Sequence, residues 1–316
     1  MRVLVTGATG RVGSRLVRRL AVDGLAGNGL AAATGLAAGT GTEPAIGTEL
    51  ANGTGVANGT GAGGAVRVVV RDPRRAADLA ALGMDVVAGD LLDPDTLKRA
   101  VADVDAVVHL AAAFRGVSEE ETVAVTRDAT LGLARAALDA GVGRFVFTST
   151  NLVYGPGRGR PAVEDDEPRP VGAYPTAKAA AEQALRDLHR ESGLGLRILR
   201  LAFVYGDGDP HLAESLMFAA HRPAHWRLQM VHHADVAQAV TLVLRAAGVD
   251  GRVYNVADDA PVTGWELHAL QGRPAPDVAG EPDPWEGVVD TGRIRHELGY
   301  RPIHPTVYSA RAAGAL

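Results

Sequence analysis

Apolar residues along this chain fall into short unbroken runs separated by stretches with helical spacing. Arg2–Val5 is the first β-like run, and Arg11–Val22 follows with a helical pattern. Val66–Val70 is a β-branched run, and Arg74–Leu82 again reads as helix. Asp85–Ala88, Ala106–Leu110 and Arg144–Thr148 are further apolar runs, each followed by a helix-compatible segment, and Leu196–Leu201 is another. Strands that are apolar on every residue are buried on both faces, which is the mark of a parallel sheet covered by helices. The pattern predicts a doubly wound α/β architecture. Beyond Gly206 the alternation weakens, and short strands (Leu228–Val231, Arg252–Val256) mix with helices. The expected division is a large domain over 1–206 and a small C-terminal α/β lobe over 207–316, set over the sheet edge.

One segment breaks the pattern. Gly24–Ala65 is almost entirely Gly, Ala, Thr and Asn, with two near-copies of one unit around Asn52 and Asn58 and only two charges, Glu43 and Glu49. Such a stretch cannot bury enough side chain to offset its chain entropy, so it reads as a flexible insertion. A phosphate-binding glycine loop is short and sits at one strand-to-helix turn, which argues against a nucleotide clamp forty residues long.

Composition narrows the function classes. With 32 Lys+Arg against 37 Asp+Glu, the net charge of −5 gives no electrostatic reason to bind nucleic acid or an anionic membrane. No apolar run approaches the roughly 20 residues that span a bilayer, and the start, MRVLVTGATG, lacks the pattern of a secretory signal. Zero cysteines exclude disulfides, thiolate metal sites and a Cys nucleophile. The expectation is a cytoplasmic globular protein acting on a small molecule. His232, His233 and Asp235 hint at a metal, but adjacent histidines point in different directions, so none is expected.

Three motifs carry chemistry. Gly7, Gly10 and Gly13 recur every third residue between the first strand and the first helix, where a tight turn brings backbone close to a pyrophosphate and the helix N-terminus favours the anion. Tyr174 and Lys178 lie four apart on a helix and so share a face, with Pro175 suited to its first turn. A phenol titrates near 10, and a neighbouring ammonium would lower it into use as a general acid or base. Thr148-Ser149-Thr150-Asn151 stands at the C-terminal end of a strand, the end that lines the ligand crevice of an open sheet. Thr148 and Ser149 read as backbone-capping residues.

In this order and spacing the motifs resemble the extended short-chain dehydrogenase/reductase family, the NAD-dependent epimerase/dehydratase group. The resemblance extends to Gly89-Asp90-Leu91, His109-Leu110-Ala111-Ala112, the run Arg200–Gly206, Val231–Ala237 and Arg295–Pro302. It implies a Rossmann sheet and an enzyme. Tyr174 would be the proton donor or acceptor, Lys178 would bind the nicotinamide ribose, and Thr150 would hydrogen-bond the substrate oxygen. Gly7, Gly10, Arg11, Val12 and Gly13 would hold the pyrophosphate, and Asp90 and Leu91 the adenine. Ala111, Ala112 and Ala113 would pass beside the cofactor, with Leu201 and Val204 also in contact with it. Asn151 and Phe114 would join Phe203 at the substrate.

The end of the second strand decides the cofactor. An acid there suits the ribose hydroxyls of NAD(H), whereas Arg71 can fork onto a 2′-phosphate and Arg11 could reach it too. NADP(H) is favoured, with NAD(H) possible through Asp72. Relatives that modify sugar nucleotides usually carry Asn where this chain has Phe203. An apolar ring there leaves a sugar hydroxyl unsatisfied and favours a hydrophobic ketone. The leading expectation is thus an NADP(H)-dependent carbonyl/alcohol oxidoreductase. A nucleotide-sugar epimerase or dehydratase and a non-catalytic NADP(H)-binding regulator are the alternatives, and retention of Tyr174 and Lys178 speaks against the latter. The helices near 122–140 and 177–191 could pair two subunits as a homodimer.

Overall fold

The structure is a computed structural model that describes residues 1–23, 66–112, 118, 122 and 124–316. The expected flexible insertion at 24–65, and the proposed cofactor and substrate contacts Ala113 and Phe114, lie outside the described residues.

Eleven strands are described: β1 Val3–Thr6, β2 Val66–Val70, β3 Asp85–Ala88, β4 Ala106–His109, β5 Arg144–Thr150, β6 Leu196–Leu201, β7 Phe203–Tyr205, β8 Arg227–Leu228, β9 Met230–His232, β10 Arg252–Val256 and β11 Val262–Thr263. Seven form one parallel sheet in the order β10-β6-β5-β4-β1-β2-β3. Strands β1, β2, β4 and β6, and β5 after its first residue, are buried because their Val, Leu, Ile and Phe residues face helices on both sides. The Arg11–Asp23 and His233–Arg245 helices pack Leu16, Val17, Val240 and Val243 onto one face. The Pro94–Val101, Ala129–Asp139 and Ala173–Ser192 helices pack Leu97, Leu133 and Leu185 onto the other. The architecture is the doubly wound Rossmann-like sheet read from the sequence, with a smaller C-terminal region.

The boundary differs from the expected one. The run Arg252–Val256, assigned above to the C-terminal lobe, is the seventh strand of the main sheet, paired in register with β6 from Arg252↔Arg197 to Val256↔Leu201. The Arg-Val-Tyr-Asn-Val segment pairs with a strand some fifty residues earlier, which no local pattern announces. The main sheet therefore draws on both sides of residue 206. Leu228–Val231 also divides: β8 pairs antiparallel with β11, while β9 runs parallel to β7. The lobe has its own apolar centre in Tyr205, Leu212, Trp226, Met230, Leu267 and Val307.

Sheet order fixes where a ligand can sit. The chain fills β1, β2 and β3 outward in one direction, then crosses to β4 on the other side of β1. Loops leaving β1 and β4 diverge and open a crevice at their C-terminal ends.

Candidate active site

The first wall of that crevice is the glycine loop. Gly7 has φ +72°, and a Cβ on it would stand 2.8 Å from the Ala111 nitrogen in the loop after β4. Gly10 N–H closes the turn onto the Gly7 carbonyl at 2.9 Å. A Cβ at Gly13 would lie 2.1 Å from that same carbonyl, so only glycine lets the helix start this close to the loop. The amides of Arg11, Val12 and Gly13 stand in the first helical turn, where N–H groups have no partner within the helix. The loop has the backbone shape and donors for a dinucleotide pyrophosphate.

Ala111 is held beside Gly7 by a relay of hydrogen bonds that sequence reading did not anticipate. His109 is fully buried, with Nδ1 2.6 Å from Thr6 Oγ1 and Nε2 2.8 Å from Thr130 Oγ1. Thr130 gives its own proton to the Thr126 carbonyl, so it accepts from His109 Nε2–H. Nδ1 then accepts from Thr6, whose oxygen takes the Ala111 N–H at 3.4 Å. Burial pushes His109 down to about 3, with the Lys178 charge acting in the same direction, so the ring is neutral as this relay requires. The His-Leu-Ala-Ala motif thus fixes the turn that shapes the crevice.

At the end of β2, Arg71 is exposed and makes no ion pair among the described residues. Asp72 is committed elsewhere: it caps the following turn through the Arg74 N–H at 3.0 Å and pairs with the Arg74 side chain, which holds its carboxyl below the usual range. Asp90, also exposed, takes the Leu92 N–H at 2.9 Å and shapes the turn after β3, with Leu91 half-buried beside it. Arg11 departs from expectation. Its guanidinium forks onto Glu214 at 2.8 and 2.9 Å and approaches Asp209 at 3.5 Å, so it is engaged by carboxylates of the C-terminal region and not directed to a 2′-phosphate.

The candidate reacting residues stand on β5 and the Ala173–Ser192 helix. Thr150 ends β5, in register with Leu201 of β6, and its hydroxyl accepts the Leu152 N–H at 3.2 Å as the cap of a short 3-10 turn. Thr148 donates to the His109 carbonyl at 3.0 Å, the capping role read from sequence, while Ser149 Oγ is buried without a partner among the described residues. Asn151 is not presented to a substrate: its amide is tied to the Gly287 carbonyl at 2.7 Å, which anchors a C-terminal loop over the strand end. Leu201 and Val204 are buried, with Val204 already inside β7.

Tyr174 and Lys178 stand one turn apart on the same helix. Lys178 is 1% exposed, with Nζ 2.7 Å from the Thr148 carbonyl and 4.5 Å from the Phe147 ring centre. Burial pulls its ammonium down to about 7, against the opposing pull of Glu182 one turn further on. Burial also raises Tyr174. The expected lowering of the phenol by its lysine is therefore not found in the chain alone; desolvation dominates both groups, and each is pushed toward its neutral form.

The lysine has a measurable consequence. Between pH 7 and 10 the unfolded chain binds a proton at Lys178 that the folded chain has released, so its contribution to stability rises with pH across that window. Wild type should gain thermal stability relative to Lys178→Met on moving from pH 6.5 to pH 9.5. Parallel melting curves for the two proteins across that range would contradict the burial argument.

The doubly wound sheet, the glycine loop after β1 and a tyrosine and lysine one turn apart on one helix define the class of a dinucleotide-dependent oxidoreductase. The chain belongs to the NAD dependent epimerase/dehydratase family, whose model matches residues 3–257. It is 32% identical over 243 residues to a dTDP-glucose 4,6-dehydratase of Streptomyces niveus, a match covering 68% of this chain and 70% of that protein. It is 30% identical over 209 residues to a 4-hydroxy-2-methyl-3-oxo-4-farnesyl-3,4-dihydroquinoline-1-oxide ketoreductase of Stigmatella aurantiaca, covering 63% of this chain and 62% of the relative. Among solved structures it resembles the dTDP-glucose 4,6-dehydratase DesIV of Streptomyces venezuelae, solved with NAD bound, with a TM-score of 0.72, 26% identity and 99% and 97% of the two chains covered. No described helix is long and apolar enough to cross a membrane.

Proposed function

We propose that the protein is an NADP(H)-dependent reductase of a hydrophobic carbonyl compound. The observation that carries the substrate class is a file of aromatic rings starting two residues beyond β6. Phe203 opens β7 and stacks on His211 with ring centres 4.0 Å apart; Phe218 lies 6.1 Å from Phe203, and Trp226 meets Phe218 edge-on at 5.9 Å. Leu201, two residues before Phe203, is in register with Thr150 at the end of β5. Such rings reward burial of apolar area, and a sugar hydroxyl against them would lose about 1–3 kcal/mol for want of a partner.

A reduced nicotinamide bound in the crevice supplies the hydride. The residues would do the rest: Thr150 Oγ would hold the carbonyl oxygen, Tyr174 would deliver a proton to it as the alcohol forms, and Lys178 would donate to the ribose. Reduction needs only that one proton. Dehydration of a sugar needs, besides that proton, a base for an α-proton and an acid for the departing hydroxide. The dehydratase relatives favour the nucleotide-sugar reading and the ketoreductase relative supports the ketone reading.

Two substitutions test this. Arg71→Asp should shift preference toward NADH by about ten- to a hundredfold, since a charge-assisted bond to phosphate is worth roughly 1.5–3 kcal/mol. Equal use of NADH and NADPH by the parent would refute the Arg71 assignment. Phe203→Asn should raise KM for an apolar ketone about tenfold or more, because the ring's buried area is lost, while leaving the Kd for NADPH unchanged; an unaltered KM would remove Phe203 from the substrate wall.

A further inference from the structure

Arg11, Arg15 and Arg19 recur every fourth residue on the first helix and so share one face. That face meets the segment that follows β7. Arg11 forks onto Glu214, Arg15 Nε donates to the Asp207 carbonyl at 3.2 Å, and Arg19 holds the Asp207 carboxylate at 2.6 and 2.7 Å. Asp209 is the hub. Its side chain is 1% exposed, 3.5 Å from Arg11 and 3.9 Å from Arg15, and it accepts His233 Nε2 at 2.9 Å and the His211 N–H at 3.0 Å. His211 in turn is the residue stacked on Phe203, with Nδ1 bound to the Val204 carbonyl at 2.9 Å. An unbroken line of contacts runs from the glycine loop to the aromatic wall.

We propose that this arginine ladder is a positioning device: it ties the placement of the 207–219 segment, and with it the aromatic wall, to dinucleotide binding at the glycine loop. The inference rests on the dinucleotide-binding reading of that loop. Arg11 lies between Gly10 and Val12, so any settling of the loop on a pyrophosphate moves the guanidinium that grips Glu214 and Asp209. One exposed ion pair would be too weak to transmit this. Four pairs from one helix face, two of them (Arg11 and Arg15) meeting on the buried Asp209 carboxylate that cannot be left uncompensated, make the segment follow the helix. The wall is then set only when the cofactor is in place, and by linkage an occupied wall tightens the cofactor by the same factor.

The test is hydrogen–deuterium exchange over 207–219, with and without saturating NADPH or NADH, in wild type, Glu214→Gln, Arg19→Glu and the swapped pair Arg19→Glu/Asp207→Arg. Nucleotide binding is followed by tryptophan fluorescence in the same samples. In wild type, the bound dinucleotide should slow exchange of the segment by about tenfold, within the usual range of coupling between sites. The two single variants should bind nucleotide within about threefold of wild type yet lose most of that response, and the swap should restore it. A purely structural ladder would lower melting temperature without uncoupling the response. Nucleotide binding with no change over 207–219 in wild type, or a full response in both single variants, overturns the coupling and leaves the cofactor reading intact. Absence of any dinucleotide binding by wild type overturns both.

Discussion

Tyr174→Phe lowers kcat for carbonyl reduction by about 10²–10⁴, the usual worth of a positioned general acid, while Kd for NADPH stays within a few-fold. The ring and its packing persist; only the transferable proton is removed. Burial raises the Tyr174 phenol above its ordinary value, so at neutral pH it stands protonated, the form a reductase needs at the moment hydride arrives. The loss should fall on kcat and kcat/KM together, since the proton is delivered only in the transition state. Steady-state turnover with a pre-steady-state trace separates chemistry from release. Activity close to the parent would remove Tyr174 from the reaction.

Gly13→Ala should abolish measurable dinucleotide binding, a loss of at least about a hundredfold, with the fold retained. A methyl there would lie 2.1 Å from the Gly7 carbonyl and 2.7 Å from its carbon, distances that no side-chain rotation relieves because both atoms are backbone. The loop or the helix start has to move, and either displaces the amides meant for the pyrophosphate. Gly10→Ala provides the graded comparison, since its Cβ would meet the Gly7 oxygen at a tight but less severe 3.1 Å. Fluorescence titration with NADPH checks both; binding by Gly13→Ala within threefold of wild type would mean that the cofactor does not lie on this loop.

The strands β1, β2, β4, β5 and β6 were legible because burial on both faces leaves continuous Val, Ile and Leu runs, a local signal. The places of the glycine loop after β1, of Thr150 at the end of β5 and of Tyr174 and Lys178 on one helix were legible because they follow from fixed spacings at a strand end or along a helix. What escaped depends on partners distant in the chain. The strand Arg252–Val256 joins the sheet only through β6. Asn151 looked available until Gly287 closed on it, and Arg11 looked free until Glu214, some two hundred residues on, took its guanidinium. The i, i+4, i+8 arginines stand in the sequence, yet such a stripe is an ordinary solvated helix face until acids arrive opposite it. The fate of Tyr174 was misjudged for a related reason: spacing shows that a lysine is near, and only packing shows that desolvation outweighs it.

The most direct measurement is oxidation of NADPH and of NADH by the purified protein across a panel of aromatic and polycyclic ketones, run beside UDP- and dTDP-sugars. Reduction of at least one hydrophobic ketone with NADPH preferred, and no epimerised or dehydrated sugar nucleotide, is the expected result. Conversion of a nucleotide sugar with no net change in the dinucleotide, together with silence across the ketones, would contradict it.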